Sequence, residues 1–224
     1  MTRLVLFDID GTLIQTGGAG MKAFDRAFEL EFGVGDAAAG IDFSGRTDRG
    51  ILKDFFLHHR LEPSEENHGR FFNAYVHWLD YYLTLQRGET LPGVLSLLRG
   101  MLGLPRRPVI GLLTGNIRLG AQIKLRHHRL WHFFETGAFG CEHHDRNQIA
   151  RIALVRGQRF LGGLDGEQVL VIGDTTRDID CAQAIGARSL AVATGGGDPD
   201  ELRDWSPTWL VDDLSRVDLR EICR

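Results

Sequence analysis

The chain has few of the residues that mark disulfide-bonded or nucleic-acid-binding proteins. It contains three cysteines, Cys141, Cys181 and Cys223, whose odd number and wide spacing predict neither a disulfide framework nor a zinc site. Its formal net charge of −4 provides no basic field that would attract nucleic acid. We therefore predict no nucleic-acid partner and free cysteines without a special role.

Long hydrophobic runs are also absent from the sequence. No apolar run approaches the ~20 residues that a membrane-spanning helix needs, which predicts a protein without a membrane partner. The first residues read MTRLVLFDID, and the charges of Asp8 and Asp10 interrupt the apolar stretch that a secretory signal requires. We therefore expect a cytoplasmic protein, and the sequence gives no indication of an oligomeric state.

What the chain does contain is an alternation of short apolar runs with helical patterns. A fully apolar run bounded by turn residues is typical of a buried parallel strand. Such runs lie at residues 3–7, 109–113, 169–172, 189–192 and 208–211, and the stretches 118–128 and 177–185 have helical spacing. This alternation predicts an α/β fold with a Rossmann-like open parallel sheet.

The interval between the first two predicted strands has a different pattern. Residues 23–32 and 71–85 have helical spacing, and the second stretch is rich in aromatic residues, which is more typical of a packed core than of a ligand site. We predict two domains: a catalytic core formed by residues 1–16 and 89–224, and an inserted α-helical cap formed by residues 17–88. Hinges between them are expected near residues 17–18 and 91–93.

Polar residues follow the first predicted strand directly. Asp8 and Asp10 are two positions apart, so their side chains point the same way while the chain stays extended. Gly11 then permits a turn that leaves both carboxylates exposed at the carboxyl end of the strand, where ligands bind in open α/β sheets. An Asp-Gly turn without a catalytic role is an equally good interpretation of this motif alone.

Two later strands also end in polar residues. The run at 109–113 leads into Thr114, Gly115 and Asn116, and the run at 169–172 leads into Asp174 and Asp178. A hydroxyl and free backbone N–H groups at a strand end suit a phosphate oxygen. Carboxylates are the hard oxygen ligands that Mg²⁺ prefers, and several acids from separate strands predict a Mg²⁺ site at one sheet edge.

Together, these motifs resemble those of the haloacid dehalogenase superfamily, in the subclass with an α-helical cap that includes phosphoglycolate phosphatase and β-phosphoglucomutase. The motif DIDGTL at residues 8–13 resembles the first family motif, Thr114 the second, and the residues from Gly173 to Asp178 the fourth. The resemblance implies that Asp8 is the nucleophile, that Asp10 is the general acid and base, and that Thr114 binds the phosphoryl group, with Gly115 and Asn116 beside it. It also implies Mg²⁺ held by Asp8, the carbonyl of Asp10, Asp174 and Asp178.

The family's third motif is usually a lysine, and here its position is open. Lys124 is the single lysine between the second and fourth motifs, ten residues after Thr114. Arg146 lies at a predicted helix start and at a suitable distance before Asp174. We prefer Arg146, because a guanidinium is permanently charged and binds phosphate with two parallel hydrogen bonds.

Asp10 favours phosphate chemistry over carbon–halogen cleavage, because the family's dehalogenases carry an aromatic residue at that position. The implied function is a Mg²⁺-dependent phosphatase acting on a small phosphorylated metabolite. A sugar-phosphate mutase and a catalytically silent phosphate-binding regulator remain alternatives. In the predicted cap, Arg46 resembles an arginine that holds a second substrate anion, while a loop stabilised by an Arg46–Asp48 or a cap–core ion pair is a competing interpretation.

Overall fold

A computed structural model describes residues 1–39 and 41–224. The strands are β1 (Leu4–Phe7), β2 (Ile14–Gln15), β3 (Glu89–Thr90), β4 (Val109–Thr114), β5 (Thr136–Phe139), β6 (Val169–Gly173), β7 (Arg188–Val192) and β8 (Trp209–Val211). The helices are α1 (Ala19–Phe32), α2 (Asp48–His58), α3 (Glu65–Leu85), α4 (Val94–Leu102), α5 (Arg118–His127), α6 (Arg146–Leu161), α7 (Thr176–Ala184), α8 (Pro199–Asp204) and α9 (Leu219–Ile222). Short 3-10 turns lie at Trp131–Phe133, Gly166–Gln168 and Leu214–Arg216. None of the helices in the described residues is both long and apolar enough to cross a membrane.

The core is a six-stranded sheet in the order β5-β4-β1-β6-β7-β8 with parallel neighbours throughout. This confirms the predicted α/β fold. Strand β5 was not predicted, because its four residues include Gly137 and Ala138 and give no apolar run. Gly137 packs so closely on β4 that a Cβ there would lie 3.0 Å from Leu112.

The central strand β1 is buried on both faces, and successive residues serve different layers. Val5 and Phe7 belong to an apolar cluster with α4 and α5, whereas Leu4 and Leu6 belong to one with α6 and α7. A parallel strand covered by helices on both faces reads as a continuous apolar run, which is why the sequence pattern identified it.

Helices α1, α2 and α3 form an insert between β2 and β3, which pair as a short antiparallel ladder. The insert has its own apolar cluster, built largely from phenylalanine rings. The rings of Phe28 and Phe55 lie 3.8 Å apart, and those of Phe24 and Phe71 lie 4.8 Å apart. Of the aromatic residues predicted to form a core in 71–85, Phe71 and Tyr75 are buried in this cluster, whereas Tyr81 is 49% exposed.

Candidate active site

The polar residues that follow three strands meet at one edge of the sheet. Asp8 follows β1, Thr114 ends β4 and Asp174 follows β6. Phe7, the last residue of β1, is paired in register with both Leu112 and Ile172. Since all three strands are parallel, their carboxyl ends bring Asp8, Thr114 and Asp174 side by side.

Three buried carboxylates form the centre of this site. Asp8, Asp174 and Asp178 are exposed by only 5%, 5% and 2%, and one oxygen of each lies within 4.8 Å of the others. Burial, together with the Asp178 and Asp10 carboxylates, raises the pKa of Asp8 to about 6 against the lowering effect of Arg146. Burial and the Asp178 carboxylate also raise the pKa of Asp174 well above its ordinary value.

Hydroxyl groups fix the orientation of two of these carboxylates. The Thr12 hydroxyl donates to Asp174 Oδ1 at 2.7 Å. The backbone N–H and hydroxyl of Thr175 both donate to Asp178 Oδ2, at 3.1 and 2.8 Å, in a capping box at the start of α7. Asp178 therefore caps its helix with one oxygen and keeps the other for the site.

Arg146 is the cation of the acidic cluster. It is the first residue of α6, and its Nη2 lies 2.6 Å from Asp178 Oδ1 and 3.1 Å from Asp8 Oδ1. Its Nη1 donates to the carbonyl of Gly45 in the insert at 2.9 Å. Burial lowers the pKa of Arg146, but the Asp178 and Asp8 carboxylates raise it by more, so the guanidinium stays charged.

Lys124 serves a different aspartate. From α5, its buried Nζ lies 2.7 Å from Asp10 Oδ2 and 2.6 Å from Asn116 Oδ1. The Asn116 amide donates to the same Asp10 oxygen at 2.8 Å and to the Thr114 hydroxyl at 2.9 Å. Both candidate cations are thus in the site, with Arg146 on Asp8 and Lys124 on Asp10.

The segment of residues 45–48 of the insert lies directly over this site. The Asp48 N–H donates to the Gly115 carbonyl at 2.8 Å, and the Ile117 N–H donates to Asp48 Oδ2 at 2.8 Å. A Cβ on Gly115 would collide with the backbone carbonyl of Arg46, so glycine permits this close approach.

Asp48 was missed as a site residue by the sequence analysis. Burial, together with the Asp10 and Asp8 carboxylates, raises its pKa to about 6 against the lowering effect of Lys124. The pair Thr47-Asp48 was the one sequence feature that could have indicated a role for Asp48, but the same pair is typical of an ordinary helix start. Thr47 is indeed the N-cap of α2 and accepts from the Gly50 N–H at 3.0 Å, so the local pattern hid the second role.

The structure pairs Arg46 with neither a site carboxylate nor Asp48. Its guanidinium forms an ion pair with Asp54 on α2. The alternative Arg46–Asp48 pair is wrong, because the Asp48 carboxylate turns instead to the Ile117 N–H, the N-cap residue of α5.

A cavity of about 430 Å³ opens beside these groups. Every predicted site residue lines it except Thr114 and Asp178. Thr114 is hydrogen-bonded to the lining residue Asn116, and Asp178 to the lining residue Arg146. The insert contributes Met21, Phe24, Phe43, Ile51 and Tyr75 to its surface. The volume is in the range of small-molecule sites.

Comparison with known proteins points to one family. Residues 146–217 match the model of the family described as HAD-hydrolase-like. The protein named probable phosphatase IndB of Dickeya dadantii (strain 3937) is 26% identical over 225 residues, covering 97% of this chain and 92% of that protein.

Solved structures share the fold over the whole chain. A hydrolase from Pseudomonas syringae has a TM-score of 0.76 at 20% identity, with 100% of both chains covered. CbbY from Rhodobacter sphaeroides, solved in complex with phosphate, has a TM-score of 0.73 at 18% identity, with 96% of both chains covered. At these identities the likeness concerns the fold.

Proposed function

We propose that this chain, which belongs to the haloacid dehalogenase-like hydrolases, is a Mg²⁺-dependent phosphatase with Asp8 as its nucleophile. The observation that carries the proposal is the separate environment of two neighbouring aspartates. Asp8 is buried beside Arg146 and two further carboxylates, while Asp10 faces the cavity beside Lys124. The name of the Dickeya relative, a probable phosphatase, supports the same reaction class.

The acidic cluster suits a Mg²⁺ ion. Three buried carboxylates surround one guanidinium, which leaves a surplus of negative charge. Burial and the neighbouring carboxylates raise the pKa values of Asp8 and Asp174. Asp8, Asp174, Asp178 and the backbone carbonyl of Asp10 would hold the ion. When bound, Mg²⁺ would offset the negative charge of the phosphoryl group and of the carboxylate that approaches it.

In the first step, an Asp8 oxygen forms a bond to phosphorus while the bond from phosphorus to the leaving oxygen breaks. Asp10 gives its proton to that oxygen, which departs as an alcohol. Arg146 holds Asp8 Oδ1 at 3.1 Å and so fixes the rotation of the carboxylate. Lys124 and Asn116 hold Asp10 Oδ2 in the same way.

In the second step, Asp10 takes a proton from water, the water oxygen attacks phosphorus, and the bond to Asp8 breaks. Phosphate leaves and Asp8 is regenerated. The Thr114 hydroxyl accepts from the backbone and side-chain N–H groups of Asn116, at 3.2 and 2.9 Å. Its own proton is therefore available to a phosphoryl oxygen, and the Gly115 and Asn116 segment lies next to it.

We further propose that residues 17–88 act as a cap that closes over the bound phosphoryl group. The contacts of Asp48 with Gly115 and of Gly45 with Arg146 support a closed arrangement. Gly17 and Gly18 both have positive φ, 60° and 84°, at one of the predicted hinges. Hydrogen exchange at residues 45–48 should slow when Mg²⁺ and phosphate are added, and unchanged exchange would argue for a rigid cap.

The decisive test is phosphate release from a panel of phosphate monoesters with Mg²⁺ and with EDTA. We expect turnover only with the metal, and its loss in Asp8→Asn. A mass increase of one phosphoryl group on the wild-type chain, absent from Asp8→Asn, would identify the covalent intermediate.

Two other outcomes would replace the proposal. Isomerisation of β-glucose 1-phosphate without phosphate release would identify a mutase. Binding of phosphate without turnover of any monoester, with Asp8→Asn behaving as wild type, would identify a silent regulator.

A further inference from the structure

The cavity beside Asp8 contains more carboxylates than cations. Its charged side chains are the carboxylates of Asp8, Asp10, Asp48 and Asp174 and the cations of Arg46, Lys124 and Arg146. A bound Mg²⁺ ion and a phosphate dianion carry charges of equal size and opposite sign, so together they leave this surplus unchanged. The cavity therefore has no excess of positive charge for a second anion on the substrate.

Each of these cations also has a carboxylate partner within the described part of the chain. Arg146 contacts Asp8 and Asp178, and Lys124 contacts Asp10, in pairs whose cations are buried. Separating such a pair is costly, because it leaves a charge without compensation. The Arg46–Asp54 pair is more exposed, with the Asp54 side chain 64% accessible, so Arg46 is the one cation that could change partners cheaply.

The insert supplies four apolar side chains to the cavity surface, beside the polar groups of Ser44, Arg46 and Asp48. Met21, Phe24, Phe43 and Ile51, which we call the apolar wall, line it together. Apolar surface covered by a ligand stabilises the complex by roughly 25 cal/mol per Å². A charged group placed against the same surface would lose hydration without gaining a partner. The wall therefore favours an uncharged, partly apolar group.

Tyr75 adds a neutral polar group to this region. It lines the cavity and is only 4% exposed. A Cβ built on Gly20 would lie 3.9 Å from this hydroxyl and 3.8 Å from Lys124 Nζ, so both atoms border the same space. A phenol hydroxyl in the cavity wall can donate to, or accept from, a neutral polar atom of a ligand.

We propose that the leaving group of the substrate is an uncharged, partly apolar alcohol, held between the apolar wall and the Tyr75 hydroxyl. The inference rests on the proposed function, which places the phosphoryl group at Asp8. It opposes the expectation that Arg46 recruits a substrate with a second anion. Substrates such as phosphoglycolate are then poor, because their carboxylate enters a cavity whose cations already have carboxylate partners.

The test compares two phosphonates that cannot be hydrolysed, 4-(hydroxymethyl)benzylphosphonate and 4-carboxybenzylphosphonate. They have nearly the same shape and differ in charge. Calorimetric titration of the wild-type protein with Mg²⁺ should show roughly tenfold tighter binding of the neutral compound. Equal affinities, tighter binding of the carboxylate, or no binding of either compound would overturn the inference. Binding requires no turnover, so failure of the phosphatase proposal would show separately in the phosphate-release assay.

A second variant tests whether charge sets the preference. Asp54→Asn removes the partner of Arg46 on the exposed face of α2 and leaves the cavity surface unchanged. The carboxylated phosphonate should gain affinity severalfold in this variant, while the neutral compound binds as it does to wild type. An unchanged ratio of the two affinities would contradict the charge argument, and Tyr75→Phe should weaken the neutral compound alone.

Discussion

Lys124 Nζ lies 2.7 Å from Asp10 Oδ2, whereas Arg146 Nη2 lies 3.1 Å from the other aspartate of the motif, Asp8. The two candidate cations therefore contact different carboxylates. Arg146 contacts Asp8, the proposed nucleophile, and Lys124 contacts Asp10, the proposed proton donor. The side chains of Lys124 and Arg146 are both buried, and each forms an ion pair with its carboxylate partner.

The contact of Lys124 with Asp10 should matter most for substrates whose leaving oxygen needs a proton. In Lys124→Met, Asp10 loses one of the two donors that orient it, and we expect kcat/KM for benzyl phosphate to fall ~100-fold. The loss should be smaller for p-nitrophenyl phosphate, whose leaving oxygen needs less protonation. Steady-state kinetics with both esters check this, with Lys124→Arg as the conservative control. An equal loss with the two substrates would mean that Lys124 acts only on binding or folding.

Removal of Arg146 should affect stability as well as activity. In Arg146→Met, the carboxylates of Asp8 and Asp178 lose the cation they share, and the free energy of unfolding should fall by ~3–5 kcal/mol without metal. Mg²⁺ should restore part of the loss, because it supplies positive charge to the same cluster. Urea denaturation with EDTA and with Mg²⁺ measures both effects. Arg146→Lys, which keeps the charge, should lose less, and a stable Arg146→Met would show that the pair contributes little.

Asp48 should make stability depend on pH in a defined direction. Burial raises its pKa from 3.8 to about 6, so the folded protein binds this proton more tightly than the unfolded chain does. The proton stabilises the fold fully below pH ~4, and that contribution is lost as the pH rises through about 6. Asp48→Asn keeps an acceptor for the Ile117 N–H but does not titrate.

The stability of Asp48→Asn relative to wild type should therefore increase by roughly 1–3 kcal/mol between pH 4 and 6 and stay constant above. Urea denaturation at a series of pH values, with EDTA present, gives this difference directly. Parallel curves for the two proteins over the whole range would show that the Asp48 carboxyl does not titrate differently in the folded state.

The sequence predicted the sheet because its strands β1, β4 and β6 are fully buried and appear as continuous apolar runs. It also placed Asp8, Thr114 and Asp174 at or just after the ends of these runs, and the structure brings the three residues to one sheet edge. Strand β5 was not predicted, because the small residues that let it pack closely on β4 do not form an apolar run.

Contacts between residues far apart in the chain could not be predicted from the sequence. Lys124 was recognised as a candidate cation, but its choice of Asp10 over Asp8 depends on the direction of α5 relative to the sheet. Likewise, Asp48 and Tyr75 reach the cavity only because the insert folds over the strand ends. Local patterns describe each as an ordinary helix residue, a role that both also fulfil.

The loop after β7 contains two glycines, Gly195 and Gly197, that differ in how closely they approach Asp174. Gly195 lies against the metal-binding carboxylate proposed here, and a Cβ on it would collide with Asp174 Oδ2. A Cβ on Gly197 would find its nearest neighbour, the Asp174 carbonyl oxygen, at 3.8 Å, which is ordinary contact. Gly195→Ala must therefore displace either the loop or Asp174, whereas Gly197→Ala need displace neither.

We expect Gly195→Ala to need roughly tenfold more Mg²⁺ for half-maximal phosphate release, because displacement of one carboxylate weakens the ion's ligand set. Gly197→Ala should titrate with Mg²⁺ like wild type. The measurement is the Mg²⁺ concentration dependence of turnover, with thermal unfolding in EDTA as the control for folding. If Gly195→Ala lowers the maximal rate without changing the Mg²⁺ midpoint, the loop shapes the cavity rim and not the position of Asp174. Equal behaviour of the two variants would mean that the loop yields to the added methyl group, since Asp174 is also held by the Thr12 hydroxyl at 2.7 Å.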